Sequence, residues 1–148
     1  MKKVSLVTAC KNREANLLKV IESWLLSDCD EFVIVDWSCD VPLAETLHQA
    51  GIKDKRIRIL RVENEPSWIL THAYNVGLKR SKGDHILKLD NDHIISRDFF
   101  AVNALAEGLD ALLGSWRLAK DATQAYINGA FLVRSKALRD VGYFNELI

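Results

Sequence analysis

The sequence lacks an apolar run long enough to cross a membrane, and it lacks an excess of charge of either sign. A membrane-spanning helix needs roughly 18 or more consecutive apolar residues, and every apolar stretch in this chain is far shorter. Twenty basic and twenty acidic residues cancel, so no strong overall field attracts nucleic acid or an anionic membrane. Any partner must therefore be recognised by a local site.

Cysteine and proline are also scarce. The three cysteines, Cys10, Cys29 and Cys39, have no metal-site spacing and are odd in number, which favours reduced, buried thiols over a disulfide framework. There are only two prolines, and no linker-like or repeated segment divides the chain. With 49% hydrophobic and 27% charged residues, we expect residues 1–148 to form a single domain with its own core.

The first ten residues, "MKKVSLVTAC", superficially resemble an export signal because two lysines precede an apolar run and a cysteine. The run spans only residues 4–10 and is followed at once by "KNRE", which leaves no room for a signal core of roughly 7–15 residues and its cleavage region. We interpret it as a buried strand. The expected location is the cytoplasm, with peripheral attachment to the inner face of the membrane as a second possibility.

Short β-branched runs alternate with longer amphipathic segments, which predicts an α/β fold with a mostly parallel sheet. Helices are predicted in "EANLLKVIESWLL", in "LAETLHQA" and from Ser67 to about Lys79. The predicted strands are "VSLVT" (4–8), "EFVIV" (31–35), "RIRILRV" (56–62), "HILKL" (85–89), "DALLGSW" (110–116) and "AFLVR" (130–134).

Polar clusters follow three of these strands, at 8–14, 36–40 and 90–93. The carboxyl ends of parallel strands meet at one edge of the sheet, where ligands collect in open α/β folds. We therefore expect these three clusters to lie together and to form the functional site.

The segment "HILKLDNDHI" runs a buried strand directly into Asp90 and Asp92. Two carboxylates one residue apart can point to the same side of an extended segment and reach one hard cation. Mg²⁺ or Mn²⁺ suits such a site because either ion keeps positions open for phosphate oxygens. The alternative is a solvated turn that caps the next helix, which a bare Asp-x-Asp would favour; the buried strand before it favours a site.

The other candidate residues are individually less specific. Asp36 could accept a hydrogen bond from a nucleotide, and Trp37 could pack on a ring or simply on the core. Asn12 and Arg13 could bind polar edges of a nucleotide, or they could be a helix cap and a surface cation.

Two basic side chains lie close to the carboxylate pair in sequence. His93 could ligate a metal or meet a phosphate, although a second-layer or exposed position is the commoner role for an isolated histidine. Lys88 lies inside the apolar strand, where an unpaired ammonium is costly. We expect Lys88 to face a carboxylate or the open side of the strand.

Four segments in collinear order resemble the family-two glycosyltransferases, which have the GT-A fold. They are "VSLVTACKNRE", "EFVIVDWSCD", "THAYNVGLKRSKGDHILKLDNDHI" and "NGAFLVRSKALRDVGYFNE". The resemblance implies a Rossmann-like three-layer α/β/α sandwich. It also implies metal-dependent, inverting transfer of a sugar from a nucleotide-diphosphate sugar, most simply a UDP-sugar, to a saccharide or other hydroxyl acceptor.

The resemblance also implies roles for individual residues. Thr8 and the Asn12–Arg13 loop would line the nucleotide pocket, and Asp36 would contact the base. Asp90 would lie near the ribose and diphosphate and contribute to the metal site, and Asp92 would be the principal ligand of Mn²⁺ or Mg²⁺.

The chain departs from the family pattern at three places. Trp37 replaces a second acid that many relatives carry after Asp36, and Tyr74 replaces an arginine that often precedes the asparagine matching Asn75. The segments "DWSCD" and "GYFNE" are closer to a branch with galactosyl- and N-acetylgalactosaminyl-type transferases. Family members place the catalytic base downstream of the segment matching "GYFNE", so we expect this chain to be truncated relative to the family and to lack the base.

Two hypotheses therefore stand: an active transferase, and a non-catalytic or truncated nucleotide-sugar-binding module. A phosphatase with Asp90 as nucleophile ranks far lower because "DNDHII" lacks the residues expected after its aspartates. An apolar edge left by missing C-terminal structure could be covered by a second copy of the chain, giving a homo-oligomer.

Overall fold

The computed structural model describes residues 2–125 and 127–147. Helices and strands alternate along most of the chain, as the periodicity predicts. The strands are β1 (Val4–Cys10), β2 (Glu31–Trp37), β3 (Ile57–Val62), β4 (His85–Lys88), β5 (Ala111–Leu113) and β6 (Phe131–Arg134). The helices are α1 (Glu14–Leu25), α2 (Leu43–Gln49), α3 (Leu70–Arg80), α4 (Phe99–Val102) and α5 (Ser135–Asp140).

The six strands form one sheet in the order β3-β2-β1-β4-β6-β5. The first four strands of the chain are parallel to one another, whereas β6 runs antiparallel to both β4 and β5. β1 and β2 pair in register from Ser5 opposite Glu31 to Cys10 opposite Asp36. The carboxyl ends of β1, β2 and β4 therefore lie at the same edge of the sheet.

The sheet is covered on both faces, which gives the expected three-layer α/β/α sandwich. One apolar cluster joins α1 and α2 to one face, and the other joins α3 and α5 to the opposite face. In α1, Leu17, Ile21 and Trp24 are fully buried at helical spacing. Each such side chain contributes about 1.5–3 kcal/mol of hydrophobic stabilisation.

Trp24 also connects the core to the loop that follows β4. Its indole Nε1 donates a hydrogen bond to the backbone carbonyl of His93 at 2.8 Å. Because a buried indole N–H needs a partner, this contact anchors the segment after Asp92 at the carboxyl edge of the sheet.

The predicted strands and helices are found with changes at their ends. The third helix begins at Leu70 rather than near Ser67, and the fifth predicted strand is only three residues long. All three cysteines are buried free thiols, as expected. Within the described part of the chain, no helix is long and apolar enough to cross a membrane.

Candidate functional site

A cavity of about 420 Å³ lies at the carboxyl edge of the sheet, between the ends of β1 and β4 and the start of α3. This is the edge at which the sequence predicts a site. The lining residues are Ala9, Lys11, Arg13, Trp68, Leu70, Tyr74, Asp90, Asn91 and Asp92.

Asp90 is held in place by hydrogen bonds from two side chains. Its Oδ1 accepts hydrogen bonds from Lys88 Nζ at 2.6 Å and from Tyr74 Oη at 2.7 Å. Burial opposes ionisation of Asp90, but the hydrogen bonds from Lys88 and Tyr74 outweigh it, so the pKa of Asp90 lies below its usual value. The ammonium of Lys88 thus faces a carboxylate, as expected, and the chain itself supplies a cation beside the acidic pair.

The phenol of Tyr74 is almost entirely buried and also lies within 3.3 Å of the Leu89 carbonyl oxygen. Burial, followed by the negative charge of Asp90, raises the pKa of Tyr74 well above its usual value. Tyr74 therefore stays protonated and remains a hydrogen-bond donor to Asp90.

Asp92 is the freer of the two carboxylates, with 47% of its side chain exposed. Its Oδ1 lies 2.9 Å from His93 Nδ1, but the geometry is not that of a hydrogen bond. His93 itself is mostly buried. Asp92 is therefore available to a ligand that enters the cavity, with His93 beside it.

Three buried polar groups near the cavity have no hydrogen-bond partner among the described residues. They are Nδ1 of His93, the amide nitrogen of Asn91, a lining residue that is only 6% exposed, and the hydroxyl of Thr8 on β1. An unpaired buried donor is costly and rare in a folded protein. The Asn91 amide nitrogen is itself inaccessible to solvent and does not face the open cavity, and Thr8 is fully buried and does not line the cavity.

Asn12 and Arg13 form the turn between β1 and α1 and have different positions. Arg13 lines the cavity and is exposed. Asn12 has a positive φ of 53° and its side-chain oxygen accepts a hydrogen bond from the Asp40 backbone at 2.8 Å. Asn12 therefore shapes the loop, and Arg13 is the residue of the pair that can meet a ligand.

Asp36 is completely buried and does not line the cavity. Its carboxylate accepts hydrogen bonds from the backbone N–H groups of Cys39 and Leu43, both at 2.9 Å, and from Arg61 at 2.7 Å. In this conformation Asp36 stabilises the loop between β2 and α2. The base contact that the resemblance implies for it would require a different loop conformation.

Trp37 packs into the core, where it is 3% exposed and donates a hydrogen bond to the Ser67 carbonyl at 2.9 Å. The alternative in which it packs on a ligand ring does not hold in this structure. The exposed aromatic of the cavity is Trp68, with 44% of its surface accessible.

Lys11 ties the loops of this edge together. Its ammonium donates to the carbonyls of Trp37, Ser38 and Glu65 at 3.3, 3.3 and 2.6 Å. This lysine therefore connects the segment after β1 to the backbone at the end of β2 and after β3.

The sequence interpretation did not identify Lys11, Trp68, Leu70 or the Tyr74 hydroxyl as parts of the site. Tyr74 was noticeable only as a departure from the family pattern. The one local signal for Trp68 was a tryptophan in the polar segment "NEPSW". A large apolar side chain in a polar, exposed segment indicates a binding surface.

The metal-binding capacity of this edge depends on few protein atoms. Within residues 2–125 and 127–147, no three His, Cys, Asp or Glu side chains come together as a metal site. Asp92 and the second oxygen of Asp90 are hard ligands of the kind that Mg²⁺ and Mn²⁺ prefer. These residues fit a divalent ion only if a bound ligand supplies further oxygens.

Glu146 lies outside the cavity lining and is tied to α3. Its Oε1 accepts hydrogen bonds from Asn75 Nδ2 at 2.7 Å and from Lys79 Nζ at 3.2 Å. These bonds lower the pKa of Glu146, which is the wrong direction for a base that must take up a proton near neutral pH.

Comparison with known families gives one sequence match. The family described as Glycosyl transferase family 2 matches residues 5–145, which is nearly the whole chain. No curated protein sequence matches the chain.

Several solved structures share the fold at low sequence identity. A mannosyltransferase, PcManGT from Pyrobaculum calidifontis in complex with GDP-Man and Mn²⁺, has 16% identity and a TM-score of 0.75 over 99% of this chain and 48% of its own. TarS (residues 1–349) from S. aureus has 17% identity and a TM-score of 0.67 over 98% of this chain and 51% of its own. Its complex with UDP-GlcNAc has a TM-score of 0.68 and 17% identity over 97% and 48%. The chain thus spans about half the length of these structures.

Proposed function

The chain belongs to glycosyl transferase family 2, and we propose that it binds a nucleotide-diphosphate sugar at the carboxyl edge of its sheet for transfer to an acceptor hydroxyl. The proposed transfer is metal-dependent and inverts the configuration at the anomeric carbon.

The observation that carries the proposal is the segment Asp90–Asn91–Asp92 in the wall of the cavity. It presents the half-exposed carboxylate of Asp92, and the exposed residue Arg13 lines the same cavity. A phosphate-bearing ligand uses both groups, since Arg binds phosphate oxygens and the carboxylate binds an accompanying cation.

In the proposed site, the charge of each residue determines its role. A divalent ion at Asp92 would offset the negative charge that develops on the departing diphosphate. Arg13, an exposed cation in the cavity lining, binds diphosphate oxygens. Tyr74 and Lys88 keep Asp90 ionised and fixed, so that its second oxygen can meet the ribose or the ion.

We propose a UDP-sugar as donor and assign the base to the neighbourhood of Trp68, the exposed aromatic ring in the cavity. Among the structures of similar fold, TarS binds UDP-GlcNAc and PcManGT binds GDP-Man, so both bases must be compared. For the sugar we propose galactose or N-acetylgalactosamine, on the segments "DWSCD" and "GYFNE" alone. Competition of UDP-Gal, UDP-GalNAc and UDP-GlcNAc for one site tests that choice.

A second candidate function is a donor-binding module without catalysis. One observation favours it: Glu146 is bonded to Asn75 and Lys79 instead of facing the cavity. General-base catalysis contributes roughly 10²–10⁴-fold, so a chain without a base binds donor normally but turns over slowly. Turnover of a bound UDP-sugar in the presence of acceptor separates the two functions.

The primary experiment is calorimetric titration of the chain with UDP and with GDP, each with and without Mn²⁺. The same titrations are run on Asp92→Ala and, as a matched control, on Asp28→Ala, which removes an exposed carboxylate before β2 at the opposite edge of the sheet. We expect UDP binding that is strengthened by Mn²⁺, loss of the Mn²⁺ effect in Asp92→Ala, and no change in Asp28→Ala.

Two results would contradict the proposal. If the folded parent binds neither nucleotide, the cavity is not a donor site. If Asp92→Ala keeps the full Mn²⁺ effect, the assignment of Asp92 as the metal ligand is wrong.

A further inference from the structure

Lys88 is a buried cation at the base of the candidate site. Only 5% of its side chain is exposed, and it points from the middle of the sheet toward the cavity edge. Its ammonium donates to Asp90 Oδ1 at 2.6 Å and to the Gly129 carbonyl at 2.8 Å, and it lies 4.3 Å from the centre of the Tyr74 ring. A buried ammonium with three such contacts is fixed in place.

These contacts use up one oxygen of Asp90. Oδ1 accepts from both Lys88 and Tyr74, which leaves Oδ2 as the oxygen open to a ligand. Glycine at position 129 leaves room for Oδ2, since a Cβ built there would lie 3.0 Å from Oδ2 and 3.5 Å from Lys88 Nζ. The two hydrogen bonds to Oδ1 therefore fix the carboxylate, and Oδ2 stays open.

The consequence is that the site binds a divalent ion poorly by itself. Lys88 places a positive charge beside one carboxylate, and like charges repel a cation that approaches the pair. Of the two acids, Asp92 is the one without a hydrogen-bonded lysine, and His93 Nδ1 lies 2.9 Å from its Oδ1. Within the described ranges, no three His, Cys, Asp or Glu side chains come together as a metal site.

We propose that Lys88 is a positioning residue that prevents the carboxylate pair from binding a divalent cation until a diphosphate is present. The proposal rests on the donor site described above and adds an order to it, in which metal and nucleotide enter the site together. Lys88 acts through Asp90 and does not itself touch the sugar.

The test measures binding of Mn²⁺ alone by electron paramagnetic resonance of the free ion, with no nucleotide present. The variants are Lys88→Met, which removes the charge but suits a buried position, and Lys88→Arg, which keeps the charge. Lys82→Met, at an exposed lysine before β4, is the matched control. Lys88→Met/Asp92→Ala tests whether any gained binding uses the site.

We expect weak Mn²⁺ binding by the parent, by Lys88→Arg and by Lys82→Met. Lys88→Met should bind Mn²⁺ at least roughly tenfold more tightly, the least expected when one charge is removed from beside a divalent ion at high dielectric. The gain should disappear in the double variant. Circular dichroism establishes folding, and Lys88→Gln replaces Lys88→Met if the latter does not fold.

Unchanged or weaker Mn²⁺ binding in a folded Lys88→Met or Lys88→Gln protein would overturn the proposal, as would a gain that persists without Asp92. Because the readout contains no nucleotide, it is separate from the test of the proposed function. Failure of UDP binding with a gain in Mn²⁺ affinity would refute the donor site and the coupling to diphosphate, but not the restraint by Lys88.

Discussion

Replacement of Asp36 should destabilise the protein, although its place in the sequence suggests a role in binding. Asp36→Ala leaves the backbone N–H groups of Cys39 and Leu43 without their acceptor, and both residues are at most 1% exposed. Each unsatisfied buried donor costs about 1–3 kcal/mol. Arg61 also loses its partner, but its side chain is 31% exposed and regains water.

The expected loss is about 2–6 kcal/mol in the free energy of unfolding, from two unsatisfied buried donors at about 1–3 kcal/mol each. A domain of this size has about 5–15 kcal/mol in total, so the effect is large. For a chain of this length it corresponds to a fall of about 10 °C in Tm. Asp36→Asn keeps the shape and one acceptor oxygen, so it should lose less.

Urea denaturation followed by circular dichroism measures the effect, with Asp28→Ala as the control. The exposed Asp28 carboxylate should be replaceable within about 0.5 kcal/mol. A loss below about 1 kcal/mol for Asp36→Ala would show that the three hydrogen bonds do not hold the loop. Normal stability with weakened UDP binding would instead restore Asp36 to the nucleotide pocket.

Three further predictions concern the core and the cavity wall. Burial raises the pKa of Cys29 from 9.0 to about 11, so the unfolded chain loses this thiol proton at lower pH than the folded protein does. The free energy of unfolding should therefore fall as pH rises from 9 to about 11. Urea titrations in which the difference in stability between the parent and Cys29→Ala does not vary with pH would contradict this. In Gly77→Ala the new Cβ would lie 2.6 Å from Val7 and 3.0 Å from Val35. Overpacking that costs about 1–3 kcal/mol should outweigh the gain of about 1 kcal/mol in helix propensity, so the protein should be less stable. An unchanged or higher urea midpoint would show that the sheet adjusts to the methyl group. Trp68→Ala should weaken UDP binding by roughly tenfold, since base stacking contributes about 1–3 kcal/mol, with unchanged stability; calorimetry showing equal affinity would remove Trp68 from the base site.

Much of the fold and the position of the site were predictable from sequence. Strands β1, β2 and β4 are short apolar runs that are buried on both faces, as their composition predicts, and α1 shows its apolar face at helical spacing. Polar residues after the strands predicted the carboxyl edge of the sheet, and the cavity lies there with Asp90 and Asp92 in its wall. The antiparallel pairing of β6 between β4 and β5 was not predictable, because short runs carry no signal for strand direction.

The sequence by itself determined which chemistry the edge could carry, because residue type and spacing fix which side chains follow a buried strand. Only the tertiary structure decided which of those side chains face a ligand. Asp36 turns inward because Arg61, 25 residues away, lies opposite it on β3, and Asp90 is restrained because Tyr74 on α3 and Gly129 before β6 converge with Lys88 beneath it. Such partners are brought together by packing of distant segments, and no local periodicity encodes them.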